Sequence, residues 1–114
     1  MSIKEINKSL EKLWATQISQ TILDLNEPSI EFRIIAIEDD HHSAVYRLRC
    51  SGLIGIEYSG RPIHANYSEL TAAKAEGAKF EGADSVRLSL EIWSDEMVVH
   101  CLAVNIETIA KDDR

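Results

Sequence analysis

The sequence predicts an α+β fold in which a long N-terminal helix packs on one face of a largely antiparallel sheet of four or five strands. An apolar stripe at helical spacing runs through the first 25 residues, and alternation of apolar and polar residues dominates the remainder. A helix and a sheet that each have one apolar face bury those faces against each other. The expected order is a helix, two or three strands, a short second helix and two more strands. A chain of 114 residues with 45% apolar residues is expected to form one α+β domain over residues 1–114.

The first predicted element is a helix of about 22 residues that ends near Leu25. Ser2 and Glu5 have the spacing of a capping box, in which each residue's side chain satisfies a backbone amide of the other. Pro28 ends the helix, because the residue before a proline is disfavoured in the helical region. The predicted stripe consists of Ile3, Ile6, Leu10, Leu13, Trp14, Ile18, Ile22 and Leu25.

Apolar alternation predicts the first strands of the sheet. One strand covers residues 29–38, and its parity breaks after Ile34, which indicates a bulge or a strand covered on both faces. A polar turn at residues 39–43 leads to a second alternating segment, residues 44–58, which Gly52 interrupts. Gly52 either bends one long strand or marks a hairpin between two, and the serine before it favours the hairpin.

A short second helix is predicted over residues 69–76. Ser68 is a suitable N-cap, and the alanines within the segment favour a helix by intrinsic propensity. Gly77 follows at the position where a left-handed residue commonly ends a helix.

The last third of the chain, residues 85–109, is typical of a β-hairpin. Apolar residues at even positions from 86 to 92 alternate with polar ones, which is the period of a half-buried strand. Residues 93–96 supply small and acidic side chains for a turn, and residues 97–109 form the returning strand.

The chain is acidic, with 19 acidic residues against 12 basic ones and a formal charge of −7. Nucleic acids and anionic membranes are bound through basic residues that neutralise them, so neither is an expected partner. A protein with a basic surface is the expected partner instead.

The sequence predicts a cytoplasmic protein. No apolar run approaches the roughly 18 residues of a membrane-spanning helix, and the N-terminus lacks the apolar segment of a signal peptide. Cys50 and Cys101 are the two cysteines, fewer than many secreted domains of this size carry. Buried free thiols are the expected state, and a Cys50–Cys101 disulfide is the alternative.

The densest group of metal-capable side chains lies at residues 38–42. Consecutive residues in a turn point in several directions, so a solvated turn explains this group better than a metal site. His100 and Cys101 are adjacent on a strand and face opposite sides, which prevents both from joining Cys50 or His64 in one site. Neither a metal nor a cofactor is therefore expected.

The chain is not expected to be an enzyme, and no catalytic residue is assigned. The sequence contains neither a motif that places a nucleophile beside a base nor a phosphate-binding glycine loop. Glu57 and Glu91 are candidates for a carboxylate pair, but the alternation places each on the polar face of its own strand. Trp14 belongs to the helical stripe and is expected in the core.

Because nucleic-acid binding, metal binding and catalysis are not expected, the sequence favours a small acidic, non-enzymatic protein-binding module. Trp93 in the predicted turn is the expected anchor, because tryptophan is enriched in binding hot spots. Asp95, Glu96 and Glu91 complete the expected contact surface, since acidic residues steer a basic partner. In element order and acidity the chain is similar to acidic secretion chaperones and small bacterial immunity proteins. This likeness of shape and charge, which no motif carries, implies an inhibitor, an immunity-type protein or a chaperone-type protein.

Two alternatives to this module remain at the level of sequence. The first is a homodimeric structural subunit joined through a sheet edge or through the helix. The second is a small-ligand-binding domain or enzyme with a pocket between helix and sheet.

Overall fold

A closed antiparallel β-barrel with one short α-helix makes up the described part of the chain. The computed structural model describes residues 2–13, 16–39, 42–60, 69–93 and 95–113. The predicted α+β class with a sheet of four or five strands is wrong, because these residues form six strands and a single helix of eight residues. The elements are α1 (Ile3–Leu10), a 3-10 turn (Glu11–Leu13), β1 (Thr16–Asp24), β2 (Ser29–Asp39), β3 (His42–Ser59), β4 (Glu69–Phe80), β5 (Ala83–Ile92) and β6 (Asp95–Asp113).

The strands follow one another around the barrel in the order β1, β2, β3, β6, β5, β4. The first half of β3 pairs with β2 and with the second half of β6. The second half of β3 pairs with the first half of β6, which also pairs with β5. β1 and β4 close the barrel over two residue pairs, Thr16 with Leu70 and Gln17 with Glu69.

The predicted long N-terminal helix is wrong beyond its first turns. Its start is confirmed, because the Ser2 side chain accepts a hydrogen bond from the Glu5 amide at 3.2 Å. The helix ends after Leu10, and the Thr16 hydroxyl donates to the carbonyl of Leu13 at 2.5 Å where the chain turns into β1. β1 contains two threonines and two isoleucines, whose β-branched side chains favour a strand. Trp14 lies outside the described residues.

The predicted second helix, residues 69–76, is also wrong, since this segment is part of β4. Its small alanines allow α1 to lie against the strand. The Asn7 side chain accepts a hydrogen bond from the amide of Ala75 at 2.8 Å and donates one to the carbonyl of Ala75 at 2.9 Å. Asn7 thereby satisfies backbone groups at the outer edge of β4 that a further strand would otherwise pair.

β3 is one long bent strand, so the hairpin favoured at Gly52 is wrong. Gly52 has φ of +63° and faces Leu102 of β6, and both strands change parity beside this contact. On β3 the side chains that face the core are at even positions up to Cys50 and at odd positions from Leu53. On β6 a corresponding change of parity, from odd to even, occurs between Cys101 and Val104. The predicted C-terminal hairpin is confirmed, because β5 and β6 pair in antiparallel register.

The core fills the barrel interior and continues beneath α1. The helix contributes Ile6 and Leu10, and the 3-10 turn contributes Leu13. The largest fully buried side chains are Phe32, Ile6, Leu13, Ile34, Leu48, Leu70, Leu88, Leu90, Val99, Cys50 and Cys101.

Cys50 and Cys101 are both free and fully buried, as expected from the sequence. Their side chains lie within hydrogen-bonding distance of each other. The hydrogen bond with Cys101, together with burial, raises the pKa of Cys50 above its usual value, so this thiol stays protonated.

Candidate functional site

The turn between β5 and β6 carries the residues that the sequence analysis assigned to a partner. We call residues 91–96 the Trp93 turn; within it, Ser94 lies outside the described residues. Ile92 pairs with Asp95, so two positions separate the paired ends of β5 and β6, as in a tight hairpin. Hairpins of this length favour positive φ at their first loop residue, because that conformation matches the twist of the strands. The loop within the Trp93 turn is therefore shorter than the predicted four-residue turn at residues 93–96.

Trp93 occupies that first loop position with φ of +57°. Asparagine or glycine usually takes this position, because a side chain such as that of tryptophan strains the left-handed conformation. The Trp93 side chain is 47% exposed. The tight turn thus holds a large aromatic side chain at the surface, in a backbone conformation that costs stability.

Glu91 and Glu96 lie directly opposite each other on β5 and β6, and both are exposed. Like charges in this arrangement destabilise a sheet. Within the described residues, neither carboxylate has an ion pair. The two side chains border a shallow depression of about 200 Å³, whose other lining residues include Ala72, Ala73 and Lys74. The Lys74 ammonium lies 3.2 Å from the carboxylate of Glu76. The depression is therefore a negatively charged recess at the Glu91–Glu96 pair, and Trp93 is not among the residues that line it.

Asp95 has a different role from the other three residues. Its side chain is buried, and its carboxylate accepts a hydrogen bond from the Tyr58 hydroxyl at 2.6 Å. Gly60 packs so closely that a Cβ there would lie 2.4 Å from Cγ of Asp95. Asp95 therefore links the Trp93 turn to the end of β3 through these contacts with Tyr58 and Gly60. Trp93, Glu91 and Glu96 are exposed to solvent. Tyr58 was missed from sequence, because no local spacing connects it with residue 95.

We expect the hydrogen bond between Tyr58 and Asp95 to be lost at high pH. The hydrogen bond to the Asp95 carboxylate raises the pKa of Tyr58, with smaller contributions from burial and from the charge of Asp95. The stabilisation is fully present below the ordinary tyrosine pKa of about 10 and is lost as pH rises through the higher folded-state value. Urea unfolding of the wild type and of Tyr58→Phe should therefore show a stability difference that is constant up to about pH 10 and decreases as pH rises further. A difference that stays constant from pH 8 to pH 11 would contradict the assignment.

The structure does not bring the remaining candidate catalytic and metal-binding residues into one site. The Glu57 carboxylate lies 3.3 Å from Nε2 of His100, whereas Glu91 faces Glu96, so the two glutamates do not form a pair. The described residues contain no group of three histidine, cysteine, aspartate or glutamate side chains that could hold a metal ion. The predicted polar turn at residues 39–43 includes residues 40–41, which lie outside the described residues, as does His64.

Two further depressions are lined largely by apolar side chains. One of about 320 Å³ lies between the helical segment and β4, beside Leu13 and Leu70. The other, of about 550 Å³, lies at the bend of β3 beside Phe80 and Leu102. In the part of the chain that the structure describes, no helix is long and apolar enough to span a bilayer.

No protein-family model matches this sequence, and no curated protein sequence matches it significantly. The exposure, charge and backbone conformation of the Trp93 turn are therefore the basis for a functional proposal.

Proposed function

We propose that this chain is a small acidic, non-enzymatic protein-binding module that uses the Trp93 turn to bind a basic surface on another protein. An inhibitor, an immunity-type protein and a chaperone-type protein all belong to this class. The observation that carries the proposal is the position of Trp93, which is 47% exposed at a φ of +57°.

The strain at Trp93 supports a binding role. A residue with positive φ and a large side chain costs of order 1–3 kcal/mol, and such strain concentrates at functional sites. Glycine would fit the same turn with less strain. A tryptophan that is strained and half-exposed in a turn favours contact with a partner as its role.

The charge of the site supports a basic partner. Glu91 and Glu96 add a second unfavourable feature to the same turn, since they face each other without a neutralising partner among the described residues. A lysine or arginine from another protein, seated in the recess between them, would relieve this repulsion. The formal charge of −7 extends the attraction over a longer range and increases the rate of encounter.

The cytoplasm is the proposed compartment. Cys50 and Cys101 lie side by side as free thiols, and a reducing compartment maintains thiols in that state.

The proposal is tested with Trp93→Gly, after the partner has been isolated by affinity capture from the native host. Glycine removes the aromatic anchor and also relieves the strain, so the free energy of unfolding is expected to rise by about 1 kcal/mol. Loss of a hot-spot tryptophan is expected to weaken binding by about 2 kcal/mol or more, roughly 30-fold, as measured by titration calorimetry.

Phe80→Ala is the matched control, because Phe80 is an exposed aromatic residue of similar accessibility, 44%, in another part of the fold. It should leave the affinity unchanged. The association rate should also fall as salt rises from about 50 mM to 0.5 M, because salt screens the attraction. Normal binding by Trp93→Gly, together with a salt-independent rate, would refute the proposal.

A further inference from the structure

The depression at the bend of β3 has the size of a small-molecule site, and we call it the bend depression. Its volume is about 550 Å³, within the range of about 300–1,000 Å³ that is common for ligand pockets in proteins. Phe80 is 44% exposed and Leu102 is 51% exposed, so solvent reaches its wall. Its apolar lining residues are Pro28, Leu53, Ile54, Phe80 and Leu102.

The backbone builds the bend depression. The amide of Leu53 donates a hydrogen bond to the carbonyl of Pro28 at 2.9 Å, which holds the turn between β1 and β2 against β3. A β-bulge between Leu53 and Gly55 leaves Ile54 without a cross-strand partner on β6. Bulges re-aim side chains and are frequent beside active sites. The apolar lining therefore comes from a defined bend of the strand.

Arg49 supplies a positive charge to the bend depression. It is one of the lining residues and is exposed. Its neighbour across the sheet is Glu31 on β2, but the Glu31 carboxylate lies 3.2 Å from Nε of Arg33 and 3.9 Å from Nε of Arg47. Among the described residues, the Arg49 guanidinium has neither an ion pair nor a hydrogen bond. In a chain with a formal charge of −7, this guanidinium is available to an anion.

The cations at two other depressions are already paired. A depression of about 530 Å³ is lined by Lys79, whose ammonium pairs with the carboxylate of Asp84. Lys74 lines the recess at the Trp93 turn, and its ammonium lies 3.2 Å from the carboxylate of Glu76. The bend depression differs from both, because it combines an apolar lining with an unpaired cation.

We propose that the bend depression binds a small apolar molecule that carries one carboxylate. The carboxylate pairs with Arg49, because the planar fork of N–H donors in a guanidinium matches the geometry of a carboxylate. The apolar part of the ligand lies against Phe80 and Leu102 and is removed from water there. Glu27, which also lines the bend depression, repels a ligand with a second negative charge. A monocarboxylate therefore fits these residues better than a phosphate ester or a dicarboxylate.

This site goes beyond the proposed function, because the bend depression shares no residue with the Trp93 turn. Phe80→Ala, which should leave partner binding unchanged, should weaken binding of the small ligand. Trp93→Gly should have the reverse effects. The two proposals can therefore fail or succeed independently.

Titration calorimetry with octanoate near neutral pH tests the site. The wild type is expected to bind octanoate saturably, with a dissociation constant below about 1 mM. Arg49→Met retains an unbranched apolar side chain but removes the charge, so it should weaken octanoate binding by about tenfold or more. The same variant should leave the affinity for 1-octanol unchanged, because this alcohol has the same apolar chain without the carboxylate.

Arg87→Gln is the matched control for Arg49→Met. It also removes one positive charge from the chain, but Arg87 lies on β5 and does not line the bend depression. Its affinity for octanoate should equal that of the wild type. Circular dichroism establishes that each variant is folded.

NMR of the wild type provides a second test that does not depend on the folding of a variant. Octanoate should shift the methyl signals of Leu53, Ile54 and Leu102 and leave the indole N–H signal of Trp93 in place. Absence of saturable octanoate binding below about 1 mM, or equal octanoate affinity of Arg49→Met and the wild type, would overturn the proposal. Tighter binding of octylammonium than of octanoate would overturn it in favour of Glu27 as the charge that is recognised.

Discussion

Replacing Leu10 with alanine is expected to lower the free energy of unfolding by about 2–5 kcal/mol. Leu10 is buried in α1, next to Ile6 and Leu13, and these three side chains belong to the core that fills the barrel. Truncation removes apolar contact and leaves a cavity beneath the helix, because the surrounding strands relax only in part. Urea or thermal unfolding measures the loss.

Lys8→Ala is the control on the same helix, since Lys8 is exposed and alanine favours a helix. This change is expected to alter stability by less than about 0.5 kcal/mol. The stability of a domain of this size is about 5–15 kcal/mol, so the difference between the two variants is readily measured. Equal melting curves for Leu10→Ala and the wild type would mean that α1 is a detachable arm and not part of the barrel core.

The position of α1 could be predicted from sequence, but its length could not. Ile18 and Ile22 follow Leu10 and Leu13 at spacings that suit one face of a helix. A spacing of four residues is also two periods of a strand, so the pair from Ile18 to Ile22 fits either structure. Pairing with β2 along almost the whole of β1 decides between them. That pairing is tertiary and has no local signal.

The prediction of a second helix over residues 69–76 was wrong for a related reason. Alanine has the highest helix propensity, and Ala72, Ala73 and Ala75 lie between a suitable cap and a glycine. In the fold, their small size serves packing between β4 and α1 instead, and β5 pairs with the segment throughout. Propensity is a weak guide where tertiary pairing is extensive.

The C-terminal hairpin was predictable because strict alternation with β-branched residues admits one interpretation. The residues assigned to its turn were predictable by type but not by role. Trp93 is exposed at the loop as expected, whereas Asp95 is buried against Tyr58, a contact between residues 37 positions apart. A single sequence does not reveal that contact, and it also does not show the positive φ of Trp93.

Gly52→Ala is expected to lower the free energy of unfolding by about 2–5 kcal/mol. The left-handed backbone, with φ of +63°, costs an alanine about 1–2 kcal/mol. A Cβ at this position would also lie 2.8 Å from Cβ of Leu102, and relief of such a clash typically costs about 1–3 kcal/mol. Gly52 lies at the bend where β3 and β6 turn from one side of the barrel to the other. Destabilising this bend therefore opposes closure of the whole sheet.

Gly55→Ala separates this effect from the general cost of changing a strand glycine. No atom outside its chain neighbours lies within 4 Å of a Cβ at Gly55, and its φ is not positive. Alanine there should be neutral or stabilising by up to about 1 kcal/mol, because it restricts the unfolded chain. In the double variant Gly52→Ala/Leu102→Ala, removal of most of the Leu102 side chain should recover part of the loss, although the contact with its Cβ persists. A Gly52→Ala protein as stable as Gly55→Ala would mean that β3 does not bend against Leu102. The barrel would then have to close in some other way, because this bend is what lets one long strand belong to both sides of it.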